Sequence, residues 1–246
     1  MPQKSDPFTS SVWLRPPRTR GQQPTLGREQ IVRTAIELLD AEGAAGLSMR
    51  RLGTRLGSGA TSVYWYVTNK DELLELAVDE VMGEVYVPEA GDTSWRVGAS
   101  VLTTGTRAML LRHPWVIGLL GVRPNLGPNA MRIGERTVAL LSEAGFAGLQ
   151  LSHASSLLTS YAIGSATTIS AMVTSMRQSG MSMSEIAEKL ESRLGQIAGD
   201  HPHYDKWRQE TGTAAYSPER IWDESFMFGL DRLLDGLELW LNRPDR

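Results

Sequence analysis

Between Ser48 and Tyr66 the apolar residues support two helices, each too short to be stable in water alone, on either side of Gly57-Ser58-Gly59. Such a pair orders only when its apolar residues are buried against a third element, and this requirement restricts the fold more than any other stretch does. That element lies just upstream. Ile31, Ala35, Leu38 and Leu39 fall at i, i+4, i+7 and i+8, one face of a helix that stops near Gly43. Ser48 can cap the second helix, whose inward residues Leu52 and Leu56 are four apart. The third runs from about Ala60 to Tyr66, with Val63 and Val67 on its buried face. Asn69 and Glu72 form an N-x-x-E start signal for a long fourth helix, about residues 70–86, through Leu73, Leu74, Ala77, Val78 and Val81. Three short helices with a glycine-bearing turn between the second and third make a helix-turn-helix, whose third helix enters a major groove.

Charge supports a nucleic-acid partner once it is divided along the chain. The whole chain of 246 residues carries −3, yet Met1 to Lys70 hold ten basic against five acidic side chains. That surplus of five leaves −8 on the remainder. Phosphates attract the first part and repel the second. The outward residues of the third helix are Thr61, Ser62, Tyr64 and Tyr66, whose hydroxyls, methyl and rings suit phosphate oxygens, base edges and thymine methyls. None of them offers a bidentate purine contact, which leaves Arg50 at the start of the second helix. Lys70, at the start of the fourth, can clamp a phosphate together with backbone N–H groups. Residues 1–24 carry five prolines among Ser, Thr, Gln and Arg, the composition of a disordered arm, from which Arg15, Arg18 and Arg20 could reach a minor groove.

The acidic remainder reads as helix, with Gly and Pro as punctuation and no period-2 alternation. Helices are expected over about residues 94–112, 114–121, 128–144, 149–178, 184–197 and 218–242, with a polar loop at about 199–217. The expected fold class is therefore all-α. Its parts are the arm, a helix-turn-helix domain at 25–72, and a larger helical ligand-binding and dimerisation domain at 73–246. In the last helix Trp222, Phe226, Leu230, Leu233, Leu237 and Leu241 form a continuous apolar seam, suited to a two-fold four-helix interface with residues 149–178. Leu102, Thr106, Met109, Trp115, Leu119, Met131, Thr137, Tyr161, Thr168 and Met172 lie at helical positions that could line a pocket for an apolar or aromatic ligand, although core packing explains any one of them better.

The run Leu47-Ser48-Met49-Arg50-Arg51-Leu52 to Leu56-Gly57, followed by Val63-Tyr64-Trp65-Tyr66-Val67-Thr68-Asn69-Lys70-Asp71-Glu72-Leu73-Leu74, resembles the signature of the TetR family, the tetracycline-repressor subfamily in particular. The likeness covers about Gly27 to Val81. It implies DNA contacts at Arg50, Thr61, Ser62, Tyr64, Tyr66 and Lys70, with Trp65 packed inward. Thr61 and Tyr66 stand where the tetracycline repressor has proline and histidine, so a different operator is expected. A looser alignment through Trp95, Arg123-Pro124 and Gly145-Phe146 puts Leu119 and Thr168 at the metal-chelating positions, and Leu102 at a ring-binding asparagine. These side chains cannot hold Mg²⁺, so magnesium-tetracycline is not the expected ligand. The resemblance further implies a homodimer on a palindromic double-stranded operator, released by a small-molecule effector.

Other classes find less support. The chain has no cysteine, and its four histidines sit in no hydrolase, metalloprotease or phosphate-loop motif, so no cofactor, metal or enzymatic activity is expected. Asp200-His201-Pro202-His203-Tyr204-Asp205 is the one cluster with metal-like chemistry, and it reads as part of the polar loop. No apolar run reaches membrane-spanning length and no secretory signal is evident, so a cytoplasmic protein is expected. The alternatives are a helical ligand-binding protein whose first module ignores DNA, and a small metal-dependent enzyme.

Overall fold

The computed structural model describes residues 11–14, 27–122, 124–211 and 218–243. The expected arm residues Arg15, Arg18 and Arg20 lie outside them, as does Arg123. Among the described residues there are ten α-helices and no strand: α1 (Arg28–Gly46), α2 (Met49–Arg55), α3 (Ala60–Tyr64), α4 (Lys70–Met82), α5 (Trp95–Arg112), α6 (Pro128–Glu143), α7 (Gly148–Ser179), α8 (Met183–Ile197), α9 (Pro202–Thr211) and α10 (Pro218–Leu241). Contacts divide the chain into two compact units, Met1–Thr167 with Leu237–Arg246, and Thr168–Gly236.

In the first unit the short helices are ordered by the means their sequences suggest. Ser48 caps α2 by accepting from the Arg51 N–H, and Asn69 caps α4 by accepting from Glu72. Gly57 turns the chain at φ +64°, a region open to glycine at little strain. Gly53 lets α2 and α3 approach closely, because a Cβ there would lie 2.9 Å from the Ala60 nitrogen. Ile31, Ala35, Leu39, Leu52, Val63, Val67, Leu73 and Ala77 are fully buried in one cluster that continues without a break through Val85, Val87, Leu102, Met109, Leu110, Trp115 and Val116. The head therefore shares its core with the body through α4.

Three buried carboxylates on α4 hold other parts of this unit. Glu72 accepts from the Thr68 N–H at 2.9 Å, extending the cap. Glu75 accepts from the Ser11 hydroxyl at 2.7 Å and the Val12 N–H at 2.9 Å. Asp79 accepts from Ala130 N–H at 3.0 Å and Asn129 N–H at 3.3 Å, the open donors at the start of α6. The Glu75 contact corrects the reading of the whole N-terminal stretch as a loose arm. Val12–Leu14 form a 3-10 turn, Ser11 is buried, and Val12 and Trp13 pack on the core. A carboxylate with two donors and a tryptophan surface offset the ordering entropy that composition alone cannot.

Other boundaries move by small, explicable amounts. α1 is kinked at Gly43 (φ 69°, ψ −179°) and resumes to Gly46, rather than stopping. α4 ends at Met82. Residues Pro114–Leu119 form a 3-10 turn in place of an α-helix. The polar loop expected after residue 199 contains α9, which opens at Pro202, a residue whose fixed φ suits a first helical position. That helix lies in the second unit, with α8, whose start is a reciprocal capping box between Ser182 and Glu185. Back in the first unit, Trp95, Phe146 and Trp240 form an aromatic group, Phe146 stacked on Trp240 at 5.5 Å and edge-on to Trp95 at 5.9 Å. Among the described residues no helix is long and apolar enough to cross a membrane.

Candidate nucleic-acid interface

The buried Val63 and Val67 set which residues of α3 face outward. At 100° per residue, Thr61 and Trp65 lie opposite Val63, and Ser62 and Tyr64 lie on its flanks. Thr61 and Tyr64 are accordingly exposed, Ser62 and Tyr66 half-buried, and Tyr66 packs partly on the core. Trp65 is 80% exposed, which corrects the inward position implied by the resemblance. Its side chain points some 200° from Val63 and cannot join the core without turning the helix over. It is the residue of this surface that sequence reasoning missed, and its place two residues from each buried valine was the signal.

The basic residues beside α3 divide into structural and available ones. Arg51 forms a bidentate ion pair with Glu42 and donates to the Gly46 carbonyl at 3.0 Å, tying α2 to the end of α1. The hydrogen bond from Arg51 holds the Glu42 carboxyl below its ordinary value, and the same bond raises the guanidinium. Arg55 faces Glu37 at 3.6 Å. Arg50 is exposed, and among the described residues no carboxylate pairs with it. Lys70 donates to the Ala44 carbonyl at 2.6 Å, so one N–H fastens α4 to α1 while an ammonium retains two others for a phosphate. An open groove runs along Leu38, Glu42, Arg50, Arg51, Thr54 and Arg55.

The expected effector residues do not converge on one space. Leu102, Met109, Trp115 and Thr137 are buried, the first three within the continuous core, and Thr137 donates to Ile133 in its own helix. Thr106, Leu119 and Tyr161 are half-buried. Met131 is 56% exposed and does not line an enclosed cavity, because six residues separate it from Thr137 and place it some 240° round α6. In the second unit Thr168 and Met172 are exposed. Of the expected set, Leu119 alone borders the cavity of about 40 Å³ formed by Leu74, Glu75, Val78, Leu120, Gly121, Pro124 and Asn125. A second polar feature had no sequence signal. Arg107, buried on α5, donates from Nε to the Ser165 hydroxyl at 3.1 Å, beside Tyr161, whose phenol is pushed up by burial against the pull of that guanidinium.

The α10 seam is corrected in part. Phe226 and Leu230 are sealed within the single chain, and Trp222, Leu233, Leu237 and Leu241 are half-buried, the last two against the Phe146 group. The outward apolar stripe is on the opposite face. Ile221, Phe228 and Leu239 fall within about 20° of one another, and Phe228 and Leu239 are each 66% exposed. Among the described residues no group of histidines and acids is arranged to hold a metal, and His201 and His203 lie at the start of α9.

Comparison with known proteins agrees with this arrangement. Residues 31–77 match the family described as bacterial regulatory proteins, tetR family, and residues 87–241 match the tetracyclin repressor-like C-terminal domain. An HTH-type transcriptional regulator of Saccharopolyspora erythraea is 37% identical over 216 residues, 83% of this chain and 91% of that protein. The HTH-type transcriptional repressor DrrR1 of Streptomyces coeruleorubidus is 34% identical over 224 residues, 90% of this chain and 80% of that one. Among solved structures, the TetR family protein ActR of Streptomyces coelicolor in complex with actinorhodin is similar with a TM-score of 0.70 at 31% identity. The match covers 89% of this chain and 100% of that one.

Proposed function

The chain belongs to the tetR family of bacterial regulatory proteins, and from that premise we propose that it is a dimeric transcriptional repressor, released from its operator by a small-molecule effector. The observation that carries this reading is the outward edge of α3, where Thr61, Tyr64 and Trp65 stand exposed between Arg50 and Lys70. Base edges are read there by Thr61, Ser62, Tyr64, Trp65 and Arg50, while Lys70 and Tyr66 contact phosphate. A second copy supplies the matching head. A two-fold pair suits a palindromic site whose half-sites are about 34–36 Å apart. The paired surface is the stripe of Ile221, Phe228 and Leu239 on α10.

The effector acts in the body, where Leu119 and Leu120 meet α4 at Leu74 and Val78. An occupant that widens this cleft moves α4, and α4 carries the head. Such a ligand must bind the two arrangements with different affinity, since equal affinity shifts nothing. Glu75 and Asn125, which line the same cleft, supply polar groups for orientation. Actinorhodin, seen in the ActR complex, is the first probe to add to a complex with DNA.

A salt titration with a duplex from the chain's own upstream region tests the reading. Affinity should fall steeply with ionic strength, and Tyr64→Ala and Lys70→Ala should each bind more weakly, Tyr64→Ala while folding as the parent does and Lys70→Ala with a parallel melt to register the lost bond to the Ala44 carbonyl. Unchanged binding by both variants overturns the assignment of α3.

A further inference from the structure

His113, the residue that ends α5, is buried with its side chain 5% exposed, yet both ring nitrogens face carboxylates. Nδ1 lies 2.7 Å from Oδ1 of Asp40 on α1, and Nε2 lies 3.2 Å from Oε1 of Glu84, two residues beyond α4. The same Asp40 oxygen accepts from the Trp115 indole at 2.7 Å, and Glu84 also pairs with Arg112. These contacts bring together the first helix of the head, the end of the connecting helix and the start of the Pro114–Leu119 turn. No motif in the sequence marks them, and DNA reading as described above makes no use of them.

We propose that His113 is a positioning residue whose charge state fixes the head to the body, making operator affinity sensitive to pH. This rests on the repressor reading given above. Ionised carboxylates only accept, so satisfying both requires both ring N–H groups, which the imidazolium has and the neutral ring lacks. Loss of one proton leaves Asp40 or Glu84 facing a ring lone pair; the ring is 5% exposed while the carboxylates, at 34% and 37%, keep contact with water, so the change removes one charge-assisted hydrogen bond across the joint. The charged groups facing the ring are Asp40 from α1, Glu84 after α4, and Arg112 from the last turn of α5 acting through Glu84. Trp115, from the 3-10 turn, is neutral. Burial shields the ring from salt, unlike the Arg112–Glu84 pair, which is largely exposed. Histidine is the side chain whose ordinary titration falls between about pH 5 and 8. The remaining histidines, His153, His201 and His203, are exposed and lie outside the head. A loosened joint leaves the head to be ordered at the moment of binding, which lowers affinity.

The experiment measures affinity for the upstream duplex from about pH 6 to 8.5 at fixed ionic strength, for the parent, His113→Gln, Asp40→Asn and His153→Gln. Ring-nitrogen NMR of the parent follows His113 directly. Parent and His153→Gln should lose about fivefold or more across the range, whereas His113→Gln and Asp40→Asn should stay nearly flat at the weaker level. At the acid end the His113 spectrum should report two protonated nitrogens. Superimposable profiles for parent and His113→Gln, affinity that rises with pH, or a singly protonated ring throughout overturns the joint. A parent that fails to bind the duplex under any condition overturns the repressor reading instead. Should His113→Gln fail to fold, Asp40→Asn and the parent's ring spectrum decide between the same outcomes.

Discussion

Val63 points inward from a helix only five residues long and Val67 does so just past its end, and their burial determines what every neighbour can do. Trp65 is the sharpest consequence, a large indole held in water beside Tyr64. Trp65 closes α3 through its backbone alone, in an αR conformation that alanine also adopts, and exposed side chains outside the core change stability by within about 0.5 kcal/mol when substituted. Trp65→Ala should therefore leave the melting temperature nearly unchanged while weakening operator binding by about tenfold, comparable with one base contact. Paired thermal melts and anisotropy titrations check both halves, and a variant that binds as the parent does removes Trp65 from the interface. The caps at Ser48 and Asn69 were legible because the hydrogen bond closes within three residues. The Arg51–Glu42 pair was not, since nothing local distinguishes Arg51 from Arg50; the direction each takes depends on where α1 ends.

At the scale of elements, α4 is more than a connector. Its apolar residues join the cores of head and body, and Glu72, Glu75 and Asp79 each hold a different piece of backbone. Sequence periodicity finds α4 readily, yet it also suggests that acidic residues face solvent. The three carboxylates are buried because helix ends and turns present unsatisfied N–H groups to them, and for Glu75 and Asp79 those donors come from segments distant in sequence. Asp79→Ala leaves the N–H groups of Asn129 and Ala130 without this acceptor, at a cost of about 1–3 kcal/mol. Urea unfolding should show a lower midpoint at unchanged slope; a midpoint equal to the parent's means that water replaces the carboxylate at no loss. The α9 segment illustrates the opposite error. Its polar, histidine-bearing composition suggested a loop, but Pro202 starts a helix there that needs little apolar surface of its own.

For the whole molecule, a basic head on an acidic body orients the approach to DNA, and the pairing proposed above would set the spacing of the heads. The α10 stripe makes the pairing testable. Phe228→Asp combined with Leu239→Asp places two charges on exposed positions, so the single chain should still fold, whereas a partner packed there would have to desolvate them. Sedimentation should show monomers and operator affinity should collapse. A double variant that remains dimeric assigns the interface to another surface.

Local information was enough for the amphipathic helices, their caps and the helix-turn-helix, though not for the polar α9, because each depends on contacts within a turn or two and on a repeating apolar face. The charge division could be counted directly, and it survives any arrangement of the fold. Tertiary structure alone decided that Ser11 is buried on Glu75, that Phe226 and Leu230 serve their own chain, and that His113 sits between Asp40 and Glu84. Each of those outcomes depends on which segments meet across dozens of residues, and a periodic pattern records that a face is buried without recording what buries it.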